Sequence, residues 1–150
     1  MNFIVPLNLP KAPLKISKIK EEYYVFCIIR KKKLIITPEE WVRQHVIHYL
    51  INDLSIPIGR ISSETNIKLN GMIRRCDIVV FDSYSVPKLI VECKSPNIEI
   101  NDVVLHQIAS YNRTLQVDYL MLTNGLTNDY YKIIKETGVL EIIEPINLEF

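Results

Sequence analysis

A chain of 150 residues with 48% hydrophobic and 23% charged residues suits one domain with its own core and is too apolar to be disordered. Its longest apolar runs fall far short of the roughly 20 residues that a membrane-spanning helix needs. The N-terminus lacks the pattern of a signal peptide, so a cytoplasmic protein without a membrane partner is expected. The net charge of +1 is unevenly spread: residues 1–36 carry eight Lys/Arg and two Glu, whereas residues 37–150 carry ten Lys/Arg and fifteen Asp/Glu. A basic arm on a mildly acidic body is a shape that can lie along a phosphate backbone. Cys27, Cys76 and Cys93 are odd in number and widely spaced, which fits free thiols in a reducing compartment better than disulfides or a zinc site.

In chain order, residues 1–15 carry three prolines and read as an extended arm. "YYVFCIIRKKKLII" (23–36) reads as two short strands around the "RKKK" turn. "TPEEWVRQHVIHYLINDL" (37–54) is the clearest local signal: Thr37, Pro38 and Glu40 make a capping box with proline at the first helical position. Val42, Val46, Tyr49, Leu50 and Asp53 follow on one side at helical spacing. Pro57 and Gly59 break that helix. "ISSETNIKL" (61–69) and "IRRCDIVVFD" (73–82) flank Asn70-Gly71 and predict a hairpin. "VPKLIVECK" (86–94) predicts a third strand. A helix is expected from about Asp102 to residue 115, with Val103, Ile108 and Tyr111 turned inward. "VDYLMLTN" (117–124) predicts a fourth strand ended by Gly125. "TNDYYKIIKET" (127–137) reads as a final helix closed by Gly138, and residues 139–146 as a last strand. The organisation expected is one domain overall: an arm with short strands over 1–36 and the main α/β body over 37–150. The helix before the fourth strand makes a parallel crossover, so the fold class is α/β, a mixed central sheet flanked by helices.

Side chains two apart in a strand face the same way. Leu89, Val91 and Cys93 share one face of the third strand, while Ile90, Glu92 and Lys94 share the other. Glu92 and Lys94 therefore emerge side by side at its end. Asp77 opens the apolar part of the preceding strand, which an antiparallel pairing puts beside Glu92. Two converging carboxylates repel unless a cation sits between them. Lys94 is one candidate; the other is Mg²⁺, which takes oxygen ligands and commonly uses one or two carboxylates. An isolated E-x-K is more often a surface ion pair, but this is the only [DE]-x-K in the chain, and it ends a strand of buried type.

The order Asp77, then Glu92-Cys93-Lys94, resembles the PD-(D/E)XK nuclease superfamily, whose core is a helix, a three-stranded meander, a crossover helix and a strand. More closely, "TPEEWVRQ", "RRCDIVVFD", "LIVECKSP", "HQIASYN" and "LMLTNG" resemble the N-terminal nuclease domain of type I restriction enzyme R subunits, in a short stand-alone form. The resemblance runs from Thr37 to Gly125. It implies a restriction-endonuclease-like fold and a metal-dependent DNA endonuclease, with Asp77 and Glu92 binding Mg²⁺ or Mn²⁺ and Lys94 orienting or deprotonating the attacking water. Glu40 would be the acid of the first helix and a third metal ligand, with Glu39 as its substitute and Glu64 as an outside candidate. Gln107 and Tyr111, one helical turn apart, would touch DNA. The partners implied are DNA, a second copy of the chain, and a restriction-system or helicase partner, since R subunits carry a helicase that 150 residues do not accommodate. The proline of the superfamily name is replaced by Cys76.

Other chemistries fit less well. Cys93 with His106 suggests a thiol nucleophile, but alternation turns Cys93 to the apolar face, where thiols are inert. His45 and His48 have a metal-compatible spacing without partner ligands and read as ordinary helix residues. A non-cleaving DNA-binding or assembly module that keeps the nuclease fold is the alternative from another class. A toxin or phage-defence effector under a partner's control would share the nuclease chemistry.

Overall fold

The computed structural model describes residues 4–69, 71–115, 117–145, 148 and 149, with the backbone alone at 69 and 110–115. Strands β1 (Ile16–Ile19), β2 (Glu22–Cys27) and β3 (Lys32–Ile35) form a small antiparallel sheet. Helix α1 (Pro38–Asn52) follows, then a 3₁₀ turn at Ile58–Arg60. Next come β4 (Ile61–Leu69), β5 (Met72–Phe81), β6 (Pro87–Cys93), α2 (Asp102–Leu115), β7 (Tyr119–Thr123), β8 (Asn128–Ile134) and β9 (Val139–Ile143). The last six strands lie in the order in which the chain makes them. All neighbours are antiparallel except β6 and β7, which are joined through α2. This is the crossover expected from the sequence, because parallel neighbours need a long connection.

The large sheet is buried on both faces. Val42, Val46, Ile47 and Leu50 of α1 pack on Ile78, Val80, Leu89, Val91, Cys93 and Met121. On the other face Ile108 of α2 packs with Val79, Ile90, Leu120 and Leu122. β6 and β7 therefore read as continuous apolar runs, as doubly covered strands do. Of the three inward candidates on α2, Ile108 is buried, whereas Val103 is 66% exposed. The inward stripe runs through Val104, Leu105 and Ile108 instead, with Ile108 four and three positions after the other two, on one helix face. The Tyr111 side chain and Asn70 lie outside the described residues; Gly71 has φ 80°, as a hairpin turn asks.

The helix expected over 127–137 is instead the strand β8 and the turn that follows it. Asn124 Oδ1 accepts the N–H groups of Leu126 (2.9 Å) and Thr127 (2.8 Å), and Gly125 has φ 82°. That tight turn sends the chain back antiparallel to β7. Tyr130 is then buried in the α1-side core and Tyr131 in the α2-side core. Adjacent residues reach opposite faces only in a strand, and burying two tyrosines outweighs the modest helix preference of the segment.

The N-terminal segment is fastened to the body. Asn8 N–H donates to the Gly125 carbonyl at 2.7 Å, Asn128 Nδ2 donates to the Asn8 carbonyl at 2.7 Å, and Trp41 Nε1 donates to the Val5 carbonyl at 3.1 Å. The two short strands expected around "RKKK" are β2 and β3; β1 is an addition that the sequence pattern did not announce. A Cβ at Gly125 would stand 2.7 Å from Leu7 Cδ2 and 3.1 Å from Val42 Cγ2. Gly125→Ala is therefore expected to cost about 1–3 kcal/mol, from left-handed strain together with crowding. Denaturant unfolding with an unchanged m-value would show it, and a loss below about 0.5 kcal/mol would contradict the packing described.

Among the described residues, no helix is long and apolar enough to cross a membrane.

Candidate active site

The first turn of α1 builds one wall of the site. Thr37 is the N-cap, and its hydroxyl accepts the Glu40 N–H at 3.0 Å. Only this half of the expected capping box forms. The Glu40 carboxylate instead accepts from Gln44 Nε2 at 2.8 Å and pairs with Arg43. Arg43 is buried at the centre of a ring of acids. Its guanidinium bonds Glu40, Glu39 (2.8 Å) and Asp77 (3.1 Å), and stands 3.5 Å from Glu64. Burial alone would lower its pKa, but Glu40, Asp77, Cys93 and Glu64 outweigh burial and push it up. Arg43 is thus a permanent cation.

The second wall is the rim of β5 and β6. Ile78 pairs with Val91 and Val79 with Ile90; one step further along this ladder stand Asp77 and Glu92. Asp77 Oδ2 accepts the Cys93 N–H at 2.8 Å. Glu92 is 7% exposed and holds Arg74 at 2.9 Å. Burial, then repulsion by Asp77, pushes the Glu92 carboxyl above the ordinary range, against the pull of Arg74 and Lys94. The backbone N–H of Lys94 is tied to the Thr123 carbonyl at 2.8 Å, which fixes the end of β6 to β7. Among the described residues, no carboxylate lies within ion-pair distance of the Lys94 ammonium. It acts at longer range on both Glu92 and Glu39.

One local irregularity aims Asp77. Ser63 pairs with Ile78 and Thr65 with Cys76, but the step between, Glu64 against Asp77, is missing from the ladder. Glu64 sits there with φ 49°, a conformation that costs a non-glycine residue of order 1 kcal/mol. Strict alternation from Val79 would turn Asp77 toward α2. Across the irregularity Cys76 faces the α2 side and Asp77 meets Arg43 of α1. The break turns Asp77 onto Arg43 of α1, whereas Glu92 keeps the α2 side of β6 with Arg74; the two carboxylates still repel each other between the neighbouring strands.

Asp77, Glu40, Glu39 and Glu64 are thus brought together around Arg43, with Glu92 on Arg74 next to them and Lys94 acting at longer range. Among these acids, Glu39 is the helix acid whose pKa responds to Asp77 and Lys94: burial raises it, Asp77 raises it further, and Arg43 and Lys94 lower it. Gln107 is exposed on α2, on the face of the sheet that Glu92 shares. Arg43, Arg74 and Arg30 were not singled out from sequence. The signal for Arg43 was its spacing, i+4 and i+3 from Glu39 and Glu40, where helical ion pairs form.

The set suits a hard cation in its chemistry. Asp77 and Glu92 repel each other across a strand rim, and oxygen donors of this kind hold Mg²⁺ with the remaining positions left to water or phosphate. Among the described residues, no group of three or more His, Cys, Asp and Glu closes around a metal position. The thiol route is closed: burial, with Asp77 next, pushes the Cys93 thiol well up. His45 and His48 are buried helix residues as read from sequence, and burial lowers both pKa values.

The family model of the type I restriction enzyme R protein N terminus matches residues 38–146. The chain belongs to this family. No curated protein matches the chain at a significant level. The family match starts at the first residue of α1 and takes in the whole six-stranded sheet. Within this R-protein N-terminal domain, Asp77 of β5 and Glu92 of β6 stand on neighbouring strands, Lys94 directly follows β6, and the basic three-stranded sheet lies outside the matched residues.

Proposed function

We propose that this R-protein N-terminal domain is a Mg²⁺-dependent DNA endonuclease of the PD-(D/E)XK kind. The observation that supports it best is that Asp77 and Glu92 stand on neighbouring strands close enough to repel each other, with Lys94 two positions after Glu92 in the chain. Asp77 and Glu92 would hold the metal, with Glu39 or Glu40 of α1 contributing through the same acidic ring. When bound, Mg²⁺ or Mn²⁺ supplies a water of lowered pKa and neutralises charge on the scissile phosphate. The chain's own groups do the rest. The Cys93 N–H holds Asp77 in orientation, and Arg74 does the same for Glu92. Lys94 has its ammonium uncommitted to a carboxylate among the described residues, so it is available to orient the attacking water or meet the phosphate. Glu40 and Gln44 keep Arg43 in place. DNA and the other components of a restriction complex are the partners this reading implies. A second copy of the chain would allow both strands to be cut.

One observation favours the second reading, a DNA-binding or assembly module that does not cut. Arg43 already neutralises Asp77, so the rim is stable without a metal. Calorimetric titration of Mg²⁺ and Mn²⁺ separates the two. The wild type is expected to show saturable binding that Asp77→Ala/Glu92→Ala abolishes. Absence of binding both alone and with an uncleavable phosphorothioate duplex would refute the nuclease reading.

A further inference from the structure

The turn between β2 and β3 joins the basic N-terminal sheet to the rim of the site. Cys27 and Lys32 are the last ladder pair before it. Ile28 and Ile29 pack against the α1-side core. The Lys31 N–H donates to the Cys27 carbonyl at 2.8 Å, and the Arg30 N–H to Cys27 Sγ at 3.5 Å. The turn is therefore anchored at its base. Arg30 then pairs with Glu64, the carboxylate that also bonds Arg75 and faces Arg43. This ion pair fixes the turn beside the acidic ring.

Beyond Arg30, Lys31, Lys32 and Lys33 are all exposed. Among the described residues, none of the three has a carboxylate within ion-pair distance. Three consecutive like charges repel one another in the free protein. On the opposite side of Glu64 stands Arg75, its side chain 66% exposed. The carboxylates of the rim, already paired with Arg43, Arg74, Arg30 and Arg75, offer an approaching phosphodiester no attraction of their own. A polyanion reaches such a rim only if cations flank it closely enough to act within a Debye length, about 10 Å at 0.1 M salt.

We infer that Lys31, Lys32 and Lys33, with Arg75 across Glu64, form a surface that receives the phosphate backbone of duplex DNA beside the Asp77–Glu92 rim. The inference rests on the nuclease reading for its choice of DNA, and it assigns a role to a sheet that the family match does not cover. Lys32 and Lys33 are consecutive in β3 and leave it on opposite faces, so a duplex lying along this edge meets one or two of the three lysines on its side while the anchored turn holds them in place. Backbone contacts of this kind add affinity and position without reading sequence.

The test is fluorescence anisotropy with a labelled duplex, in the absence of divalent metal, over a range of salt concentrations. Wild type is compared with Lys31→Ala/Lys32→Ala/Lys33→Ala. Each phosphate contact contributes about 0.9 to the slope of log K against log salt, so losing the one or two lysines that face the duplex should flatten it by about 0.9–1.8. Affinity at low salt should fall at least about tenfold with it. Circular dichroism and Tm establish that the variant folds, and Lys→Gln at the same positions replaces it if it does not. An unchanged slope, or no duplex binding by wild type, overturns the inference. Tighter binding of single-stranded RNA with the same lysine dependence overturns the choice of DNA. Asp77→Ala/Glu92→Ala keeps the two readings apart. Lysine-dependent binding in a wild type that never cuts removes the nuclease reading and leaves this surface standing. Cutting by wild type with a lysine-independent slope does the reverse.

Discussion

Arg43→Met is expected to lower the unfolding free energy by about 3–5 kcal/mol, the range for removing one partner of a buried ion pair. In a domain of this size that is a fall of about 10 °C or more in Tm. The side chains of Arg43 and Glu40 are only 6% and 8% accessible. Water cannot take the place of the guanidinium, and Glu40, Asp77 and Glu39 lose one shared cation at once. An exposed pair such as Lys18 and Glu21, 48% and 95% accessible, contributes little by comparison, because solvent screens it. The loss should depend on pH. The folded-state pKa of Glu39 is already raised by burial, and Arg43 is among the groups that hold it down, so removing Arg43 raises it further. A carboxyl with a raised folded pKa contributes stability below its unfolded pKa and loses it as pH rises through the folded one. Arg43→Met should therefore be destabilised less at about pH 5 than at about pH 8. Thermal unfolding of wild type and variant at both values checks this. Equal losses at the two values would mean that the acids are not coupled through Arg43.

On the proposed nuclease reading, Asp77→Asn is expected to abolish metal-dependent cleavage of duplex DNA, with a fall of at least about a thousandfold, since it would remove one of the two charged carboxylates proposed to hold the metal. Asparagine keeps an oxygen that can accept the Cys93 N–H and nearly the same shape, so the fold should survive. Lys94→Met provides the contrast. Its ammonium holds no ion pair among the described residues, so stability should hardly change, while cleavage falls about a hundredfold or more through loss of a cation at the phosphate. Metal binding should vanish in Asp77→Asn and persist in Lys94→Met. Cleavage assays on plasmid DNA and calorimetry on the same two variants check both halves. A Lys94→Met protein that cuts like wild type would remove Lys94 from the chemistry. An Asp77→Asn protein that still cuts would place the metal elsewhere.

The features that local chemistry controls were legible in the sequence. α1 starts where Thr37-Pro38 says it must, and Val42, Val46 and Leu50 of its expected stripe are buried, whereas Tyr49 is half-buried and Asp53 is exposed just past the helix end. The β4–β5 hairpin and β6 form where the alternation and the Asn70-Gly71 signal put them. The apolar run that ends in Glu92-Cys93-Lys94 is a doubly buried strand whose polar end reaches the rim, and that pattern was enough to pair Glu92 with Asp77. Each of these depends on residues near one another in the chain, so each leaves a pattern that can be read in one dimension.

The tertiary structure alone decided the rest. β8 is a strand because Tyr130 and Tyr131 are needed on opposite faces of a sheet, and no local propensity carries that information. Asp77 turns toward α1 because the ladder skips a step at Glu64, a break that alternation cannot announce. Arg43 becomes the centre of the site only when β4 and β5 bring Glu64 and Asp77 against α1, contacts between residues at least 21 positions apart. The fold class follows from the order of elements, and Asp77, Glu92 and Lys94 from strand period, whereas Glu40, Glu39 and Glu64 entered only through the family resemblance. Which cation those acids keep, and which basic turn stands beside them, follow from charges that meet only once the chain is folded.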